Sequence, residues 1–249
     1  MAEVLDWFAF NGRRCADFGI HVEELPPILI AEERVKFEEV PGRSGDLAIM
    51  ELNAAERPVY KAIEPTIECI VDDVDQLDSM AAWLQGAGVL VLPNRPGGYY
   101  TGRVIGEMSL ERIIKARENR RFSVDFHLDP YFYLNDAGEI EITNASHVLQ
   151  NPGTAESAPR ITVYGSGDVG LAIAGQSILL TGLTDGIILD TVLQDALSLD
   201  GAQLMNNHMA GDFPTLPPGS STVAWSAFDG NDNAGTVTRI VIAPRWRCR

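Results

Sequence analysis

Three glycines and an aspartate in the second half of the chain have the most suggestive spacing for chemistry. Gly165, Gly167 and Gly170 follow a β-rich run, and Asp190 lies about 20 residues further on, as in a dinucleotide-binding fingerprint. That fingerprint requires a helix whose N-terminus holds the pyrophosphate. Here Leu171–Ala174 leads into another glycine and a second β-rich run, which leaves no room for a helix. The sequence therefore predicts no dinucleotide site and no cofactor.

The acidic stretch Asp229–Asn233 resembles the start of a calcium-binding loop. An EF-hand loop has Gly at its sixth position and a bidentate Glu at its twelfth, but this chain has Ala234 and Ile240 there. We expect a polar hairpin turn, with an adventitious cation site as the alternative. The histidines and cysteines lack metal-ligand or disulfide spacing; they are His21, His127, His147 and His208, and Cys15, Cys69 and Cys248.

No other motif points to catalysis, to nucleic acid or to a membrane. A Gly-x-Ser-x-Gly nucleophile elbow is missing from the sequence, and carboxylate pairs carry no information in a chain of net charge −16. Nucleic-acid binding depends on Lys and Arg contacts with phosphates, so this acidity fits a protein that DNA passes without binding. A role in solubility explains it equally well. No apolar run approaches the ~20 residues of a membrane span, and no signal peptide is expected.

Two sets of charged residues are candidate contacts with a neighbouring subunit. The loop Pro41–Asp46 carries Arg43 and Asp46, which either pair with each other, face another chain or lie in solvent. The stretch Met108–Phe126 is predicted to form a hairpin that carries a basic cluster. A solvated hairpin is the default interpretation, and a contact between this cluster and an acidic neighbouring subunit fits about equally well. Its candidate interface residues are Arg112, Arg117, Arg120 and Arg121.

The elements that position these residues are predicted to form two domains that meet near His127–Leu134. Pro130 and the aromatic run after it predict a packed seam at that point. The first domain, 1–133, is expected to be a β-domain with one helix over about 73–85. The second, 134–249, is expected to be an antiparallel β-sandwich whose last strand packs back toward the first domain.

Within the first domain, Asn11-Gly12 between two β-rich runs predicts a hairpin. The helix is expected to have its N-cap at Asp72 or Asp73 and to end at Gly86. Its predicted buried face consists of residues at helical spacing, namely Leu77, Met80, Ala81 and Leu84. The other strand candidates are Val35–Val40, Thr66–Val71, Val89–Leu92 and Tyr99–Gly106.

Within the second domain, short β-rich runs alternate with turn signals, which favours an antiparallel sandwich. One expected turn is Gly165-Ser166-Gly167. The strand candidates are Glu139–Thr143, Arg160–Tyr164, Val169–Ala174, Ser177–Thr181, Gly186–Leu189, Thr222–Ser226 and Val237–Ala243.

The order of several short motifs along the chain is itself informative. In the first half they are Phe10-Asn11-Gly12, Asp17–Ile20, Val40–Leu47, Trp83-Leu84, Tyr99-Tyr100, Phe122–Phe126 and Asp129–Tyr131. In the second half they are Asn151–Thr154 with Pro159, Ile188–Asp190, Gly211–Gly219 and Pro244–Trp246. This ordered set resembles the distal tail (Dit) protein family of long, non-contractile-tailed bacteriophages. Ser44 departs from the family loop, which more often has Asp at that position.

The resemblance implies a fold and a role that the residue patterns alone do not give. It implies a hexameric ring formed by the N-terminal domain, with a galectin-like C-terminal sandwich outside the ring. It also implies a non-enzymatic hub at the tail tip of the virion, which joins the tail tube to the baseplate and surrounds the channel for tape measure protein and DNA. The implied partners are further copies of the chain, the tail tube protein, the tape measure protein and the tail-associated tip or lysin protein.

A carbohydrate-binding β-sandwich that aids host adsorption is the alternative from a different class. Sugar sites commonly stack the sugar on exposed aromatic rings, and residues 135–243 contain few aromatics. Trp225 lies in a predicted strand, as a core residue would. We therefore do not expect a free-standing sugar platform.

Overall fold

The computed structural model describes residues 6–53, 56–72, 75–113, 119–135, 138–227 and 234–249. The protein is mainly β, with a single α-helix among these residues, as the sequence predicted. The chain divides into two compact units, Met1–Phe132 with Arg249, and Tyr133–Cys248.

The first unit is built on an antiparallel sheet. Its strands are β1 (Ala9–Phe10), β2 (Arg13–Arg14), β3 (Ile20–Glu24), β4 (Val35–Glu38), β5 (Leu47–Met50), β6 (Thr66–Val71), β7 (Ala87–Val91), β8 (Gly98–Ile105), β9 (Glu111–Arg112) and β10 (Arg120–Leu134). The strand order is β2-β1-β7-β8-β10-β6-β3, with β9 beside the start of β10. β4 and β5 form a separate two-stranded sheet, of which β5 was not predicted.

The turn Asn11-Gly12 closes the first hairpin, as predicted. β1 and β2 pair across it, and both turn residues have positive φ, 50° for Asn11 and 77° for Gly12. The Asn side-chain oxygen accepts a hydrogen bond from the backbone N of Val89 at 3.0 Å. The turn is therefore fastened to β7, and a short 3₁₀ helix, Cys15–Phe18, leads from it to β3.

The helix of the first unit, α1, is shorter than predicted. It spans Leu77–Trp83, about two turns, instead of 73–85, and its N-cap is Gln76. Asp72 is therefore not the N-cap; its carboxylate instead accepts a hydrogen bond from Asn119 at 3.3 Å. The alternative cap, Asp73, lies outside the described residues.

Trp83 adds to the buried face of α1 a side chain that was not among the four predicted residues. Its ring stacks on Phe18 and Phe8, with centroids 4.6 and 5.6 Å apart. Its Nε1 donates a hydrogen bond to the carbonyl of Phe10 at 2.8 Å. Of the predicted face, Met80 and Leu84 are buried, whereas Leu77 is exposed and Ala81 is half-buried. The buried side chains of this segment are Met80, Trp83 and Leu84.

The stretch His127–Leu134 belongs to one continuous strand. β10 runs without interruption from Arg120 through Pro130 to Leu134, and its side chains alternate between buried and exposed positions. The fixed φ of proline is compatible with extended backbone where its missing N–H is not needed. Phe132, beyond the proline, packs on Tyr100 with ring centroids 5.2 Å apart.

The second unit contains ten strands among its described residues. They are β11 (Ile140–Ile142), β12 (Ser146–Asn151), β13 (Arg160–Ile173), β14 (Gln176–Leu183), β15 (Gly186–Asp190), β16 (Asp195–Leu197), β17 (Met209–Ala210), β18 (Gly219–Ala227), β19 (Thr236–Ala243) and β20 (Arg247–Cys248). Four of them, β12, β16, β17 and β20, were not predicted.

The long strand β13 belongs to two layers. Its first half pairs with β15 and β19, which are extended by β16 and β11. Its second half pairs with β14 and β18, which are extended by β17 and β12. Aliphatic side chains from both layers form one buried core, including Ile161, Val163, Leu171, Leu180 and Ile240. This is the antiparallel two-layer arrangement that the sequence predicted.

The expected turn Gly165–Gly167 is wrong, and the two strands predicted on either side of it are one strand. The pairing register of β13 shifts next to both glycines, which marks β-bulges that bend a strand without ending it. A Cβ on Gly165 would lie 2.2 Å from the carbonyl oxygen of Thr236. Glycine is therefore needed here for close approach of two strands, and no pyrophosphate-binding helix follows it among the described residues.

A partly buried ion pair ties the C-terminal segment to β15. Arg245 donates from Nη1 and Nη2 to the two carboxylate oxygens of Asp190, at 2.8 and 2.9 Å. The backbone N of Val192 donates to the same carboxylate at 3.0 Å. Burial acts to raise the pKa of Asp190, but the guanidinium and the backbone N–H groups outweigh it and hold that pKa below its ordinary value. Asp190 therefore has a structural partner rather than a ribose to bind.

Candidate functional site

The segment Val35–Met50 forms a hairpin, here called the arm hairpin, that is separate from the main sheet of the first unit. β4 and β5 pair antiparallel, from Val35 opposite Met50 to Glu38 opposite Leu47. A two-stranded sheet is at best marginally stable in water unless something packs on it. The arm hairpin therefore needs support that its two strands do not provide.

One face of the arm hairpin is apolar and exposed. Residues that are directly opposite in the pairing share a face, so Val35 and Met50 lie beside Phe37 and Ala48. Phe37 is 65% exposed and Met50 is 52% exposed. Contiguous exposed apolar side chains of this kind mark interaction surfaces. The other face mixes apolar with charged residues, which are Leu47, Ile49, Lys36 and Glu38.

The base of the arm hairpin is fastened to the segment that follows it. The backbone N of Arg34 donates to the carbonyl of Val59 at 2.8 Å, and the N of Val59 donates to Glu51 at 3.0 Å. Arg34 and Glu51 also form an ion pair at 3.6 Å. Within the described residues, no third strand pairs with β4 or β5. Their outer edges are therefore free to accept a strand from another chain.

The loop between β4 and β5 carries the predicted interface residues Arg43 and Asp46. Both side chains are exposed, and they line a cavity of about 380 Å³ together with neighbouring loop residues. Gly42 and Gly45 have φ of 81° and 78°, a region that glycine enters without strain. The structure thus places Arg43 and Asp46 together at the end of the arm hairpin.

The predicted basic cluster lies on the hairpin formed by β9 and the start of β10. Arg112 is directly opposite Arg120 in the pairing, which concentrates positive charge at one place. Arg121 contacts both carboxylate oxygens of Glu23, with Nε to Oε2 at 2.6 Å. Arg117 lies outside the described residues. The two predicted sets of interface residues are therefore on two different hairpins of the first unit.

Several titratable side chains of the first unit are buried or paired. Burial raises the pKa of the thiols of Cys15 and Cys69, which disfavours the reactive thiolate. His21 lies 3.1 Å from Asp72, at the surface. In the part of the chain that the structure describes, no three His, Cys, Asp or Glu side chains are arranged to hold a metal ion. The calcium-like stretch 229–233 lies outside that part.

The second unit has a shallow trough on the outward face of the layer that contains β18, β13, β14 and β17. Its volume is about 620 Å³. Trp225 is the one aromatic residue among those lining it, and this side chain packs on the core, as predicted. The trough therefore lacks the exposed ring on which a sugar would stack. Its small outward residues are Gly170, Ala172, Ser177, Ala210, Ala224 and Ser226.

The comparison with solved structures decides the fold. The structure is similar to the crystal structure of the SPP1 Dit (gp 19.1) protein, with a TM-score of 0.70 and 14% sequence identity, over 95% of this chain and 97% of that one. The chain has the Dit fold. The resemblance drawn from the ordered motifs is therefore confirmed at the level of the fold. The SPP1 Dit protein is described as a paradigm of the hub adsorption apparatus in phages that infect Gram-positive bacteria.

At the level of sequence, no protein-family model and no curated protein matches the chain. Of the helices in the described ranges, none has the length and apolar character needed to cross a bilayer.

The apolar residues of the arm hairpin were missed by the sequence reasoning. A signal for them was present, because the apolar run Leu47–Met50 directly follows the turn residues Gly45-Asp46 and the alternating strand Val35–Glu38. Two such runs around a glycine-containing loop predict a hairpin. Sequence alone does not show that neither face of that hairpin is covered.

Proposed function

We propose that the chain is a phage distal tail protein. In this role it forms a hexameric ring at the tail tip of the virion, joins the tail tube to the tip or baseplate, and surrounds the channel for tape measure protein and DNA. The observation that carries the proposal is the similarity of fold to a phage hub protein over nearly the whole of both chains. A similarity confined to one unit would support a shared domain and nothing more.

The arm hairpin supports assembly into a ring. A closed ring needs a heterologous interface, in which one patch of each subunit meets a different patch of the next. The exposed apolar face around Phe37 and Met50, with two unpaired strand edges, is suited to be one of these patches. We assign Arg43 and Asp46 to the same contact, because they lie in the loop of this hairpin.

The basic hairpin supports a second, electrostatic contact in the ring. Arg112 and Arg120 lie opposite each other, and Arg121 is already oriented by Glu23. In a chain of net charge −16, the neighbouring subunit presents a predominantly acidic surface to this hairpin. We therefore propose that Arg112, Arg117, Arg120 and Arg121 contact that surface.

The two units have different roles in this proposal. The first unit forms the ring, and the second unit is a galectin-like sandwich outside it. The partners are the tail tube protein, the tape measure protein and a tail-associated tip or lysin protein. No catalytic residue, cofactor, nucleic-acid site or membrane contact is needed for this role. The acidity of the chain would favour passage of DNA because it repels phosphate groups.

Electron microscopy of whole phage particles with a gold-labelled antibody against the chain tests the proposal. The expected result is label at one point of the tail, where the tube meets the tip. Label on the capsid, along the whole tail or on no part of the particle would contradict the hub role. Label confined to peripheral fibres would instead favour the alternative of a carbohydrate-binding adsorption module.

A further inference from the structure

The trough on the second unit is lined without any charged side chain. A sheet face that meets solvent usually carries polar and charged side chains at its outward positions. In this layer the outward positions of β13 are Gly170 and Ala172, and those of β18 are Ala224 and Ser226. The uncharged face continues onto β12, where Val148 is 55% exposed opposite Thr222. In so acidic a protein, such a face is suited to contact another molecule.

The shape of the trough restricts what can occupy it. It crosses the faces of β18, β13, β14 and β17 rather than a strand edge, so its occupant cannot pair as an added strand. Across the strands, four strands at the usual spacing place the outer two about 14 Å apart. An α-helix with its side chains is about 10–12 Å wide, so a helix that lies along the strand direction fits within this distance. Among the outward lining residues only Leu179 is large, and the small Gly170 and Ala172 beside it leave room for apolar side chains of a helix to enter.

The charge of the surrounding unit restricts the occupant further. Between Ile161 and Thr238 the sequence contains eight aspartates and no lysine, arginine or glutamate. Asp212, next to the trough residue Gly211, is exposed. Charge complementarity therefore favours an occupant with Lys or Arg along its flanks and disfavours an acidic one. A second copy of this acidic unit is disfavoured for the same reason.

The geometry points to a basic amphipathic helix of another protein as the occupant of the trough. Its large apolar residues would enter the trough, and its Lys or Arg side chains would face the acidic surroundings that include Asp212. This site lies in the second unit, whereas the hairpins assigned to the ring belong to the first, and it goes beyond the proposed hub function. The inference is tested independently of the hub function, because its test uses the isolated full chain in solution.

The test measures binding of fluorescent synthetic peptides to the full-length protein by anisotropy. The first peptide is a helix of about 18 residues, or ~27 Å, with a leucine face and lysine flanks. The second replaces each lysine with glutamate, and the third spreads the same leucines around the helix. The first peptide is expected to bind at least tenfold more tightly than either control, and more weakly as salt is raised.

Two tryptophan variants locate the site. Ala172→Trp fills the trough and is expected to weaken binding of the first peptide at least tenfold. Ala172 is exposed, so the variant should fold, and thermal unfolding checks this. Ala224→Trp is the second variant that fills the trough. The matched control is Ser220→Trp, an exposed outward position on β18 about 13 Å along the strand from Ala224. It should bind like the unchanged chain.

Several results would overturn the inference. They are failure of the first peptide to bind, equal binding of all three peptides, and unchanged binding to Ala172→Trp. A fall in the solution mass of Ala172→Trp relative to the unchanged chain would assign the trough to a second copy. Loss of a glycan-array signal in the same variant would assign it to a sugar, and both outcomes also overturn the proposed helix.

Discussion

The arm hairpin of the first unit and the core of the second unit use the same residue types in opposite ways. In β19, Ile240 is fully buried, whereas in β5, Ile49 is 42% exposed. Burial of an isoleucine side chain stabilises a fold by about 1.5–3 kcal/mol. The second unit gains this stabilisation within one chain, and the arm hairpin does not. The difference is one of packing: the core of the second unit is covered by its own chain, whereas the arm hairpin leaves apolar side chains exposed.

The largest predicted effect on stability is the contrast between an isoleucine-to-alanine substitution in the core of the second unit and the same substitution in the arm hairpin. Ile240→Ala should lower the free energy of unfolding by about 2–5 kcal/mol, because it opens a cavity in a packed core. Ile49→Ala in dilute, unassembled protein should change it by less than about 0.5 kcal/mol, because the side chain is exposed. Urea unfolding of both variants measures the contrast.

Equal destabilisation by the two variants would break the comparison, since it would mean that the arm hairpin is packed within its own chain. Ile49→Ala should also be compared with the unchanged chain at a protein concentration high enough for assembly. There it is expected to lower the stability of the assembled form, because the neighbour covers the hairpin.

The second prediction concerns Asp190, which the guanidinium of Arg245 stabilises. The pKa of this carboxyl is held below its ordinary value of 3.8. The ion pair therefore adds stability above that value and loses it as the pH falls through the lower, folded pKa. Asp190→Asn should lower the free energy of unfolding at neutral pH by about 1.5–3 kcal/mol. Thermal unfolding against pH measures it.

The difference between the unchanged chain and Asp190→Asn should shrink as the solution becomes more acid than the ordinary pKa of an aspartate. A difference that stays constant into that acid range would show that the charge of Asp190 is not the source of the stabilisation.

The smallest predicted effect on stability concerns Arg121, whose ion pair with Glu23 is at the surface. Arg121→Ala should leave the free energy of unfolding unchanged within error, because exposed pairs are screened by water and salt. It should weaken assembly, and low salt should enlarge the difference. Arg239→Ala, which removes an exposed pair with Glu141 in the second unit, is the control and should leave assembly unchanged. Sedimentation at two salt concentrations makes the comparison.

The sequence predicted the parts of the fold that depend on local chemistry. The turn Asn11-Gly12 and the strand Thr66–Val71 were found as expected, because positive φ and two-residue alternation are properties of neighbouring residues. The bulged strand β13 was divided in two because its glycines resemble a turn. Gly165 serves instead a close contact with Thr236, which is distant in sequence.

Less of the candidate site could be predicted from the sequence. Arg43 and Asp46 were correctly placed in a loop, but the apolar face beside them was missed, because Phe37 and Met50 form it only through strand pairing. The buried face of α1 was predicted only in part: Met80 and Leu84 are buried as expected, but the stacking of Trp83 on Phe8 and Phe18 was not foreseen. Such contacts join residues far apart in the chain and leave no periodic signal.

The solution mass of the purified chain, measured by light scattering, tests the central claim most directly. The unchanged chain is expected to have six times the 27.1 kDa of one copy. Phe37→Asp should reduce this to a single copy, because a charge on the arm hairpin opposes burial against the neighbour. Val192→Asp, at an exposed apolar position of the second unit, should keep the sixfold mass. A mass of 27.1 kDa for the unchanged chain, both alone and mixed with the tail tube protein, would contradict the account.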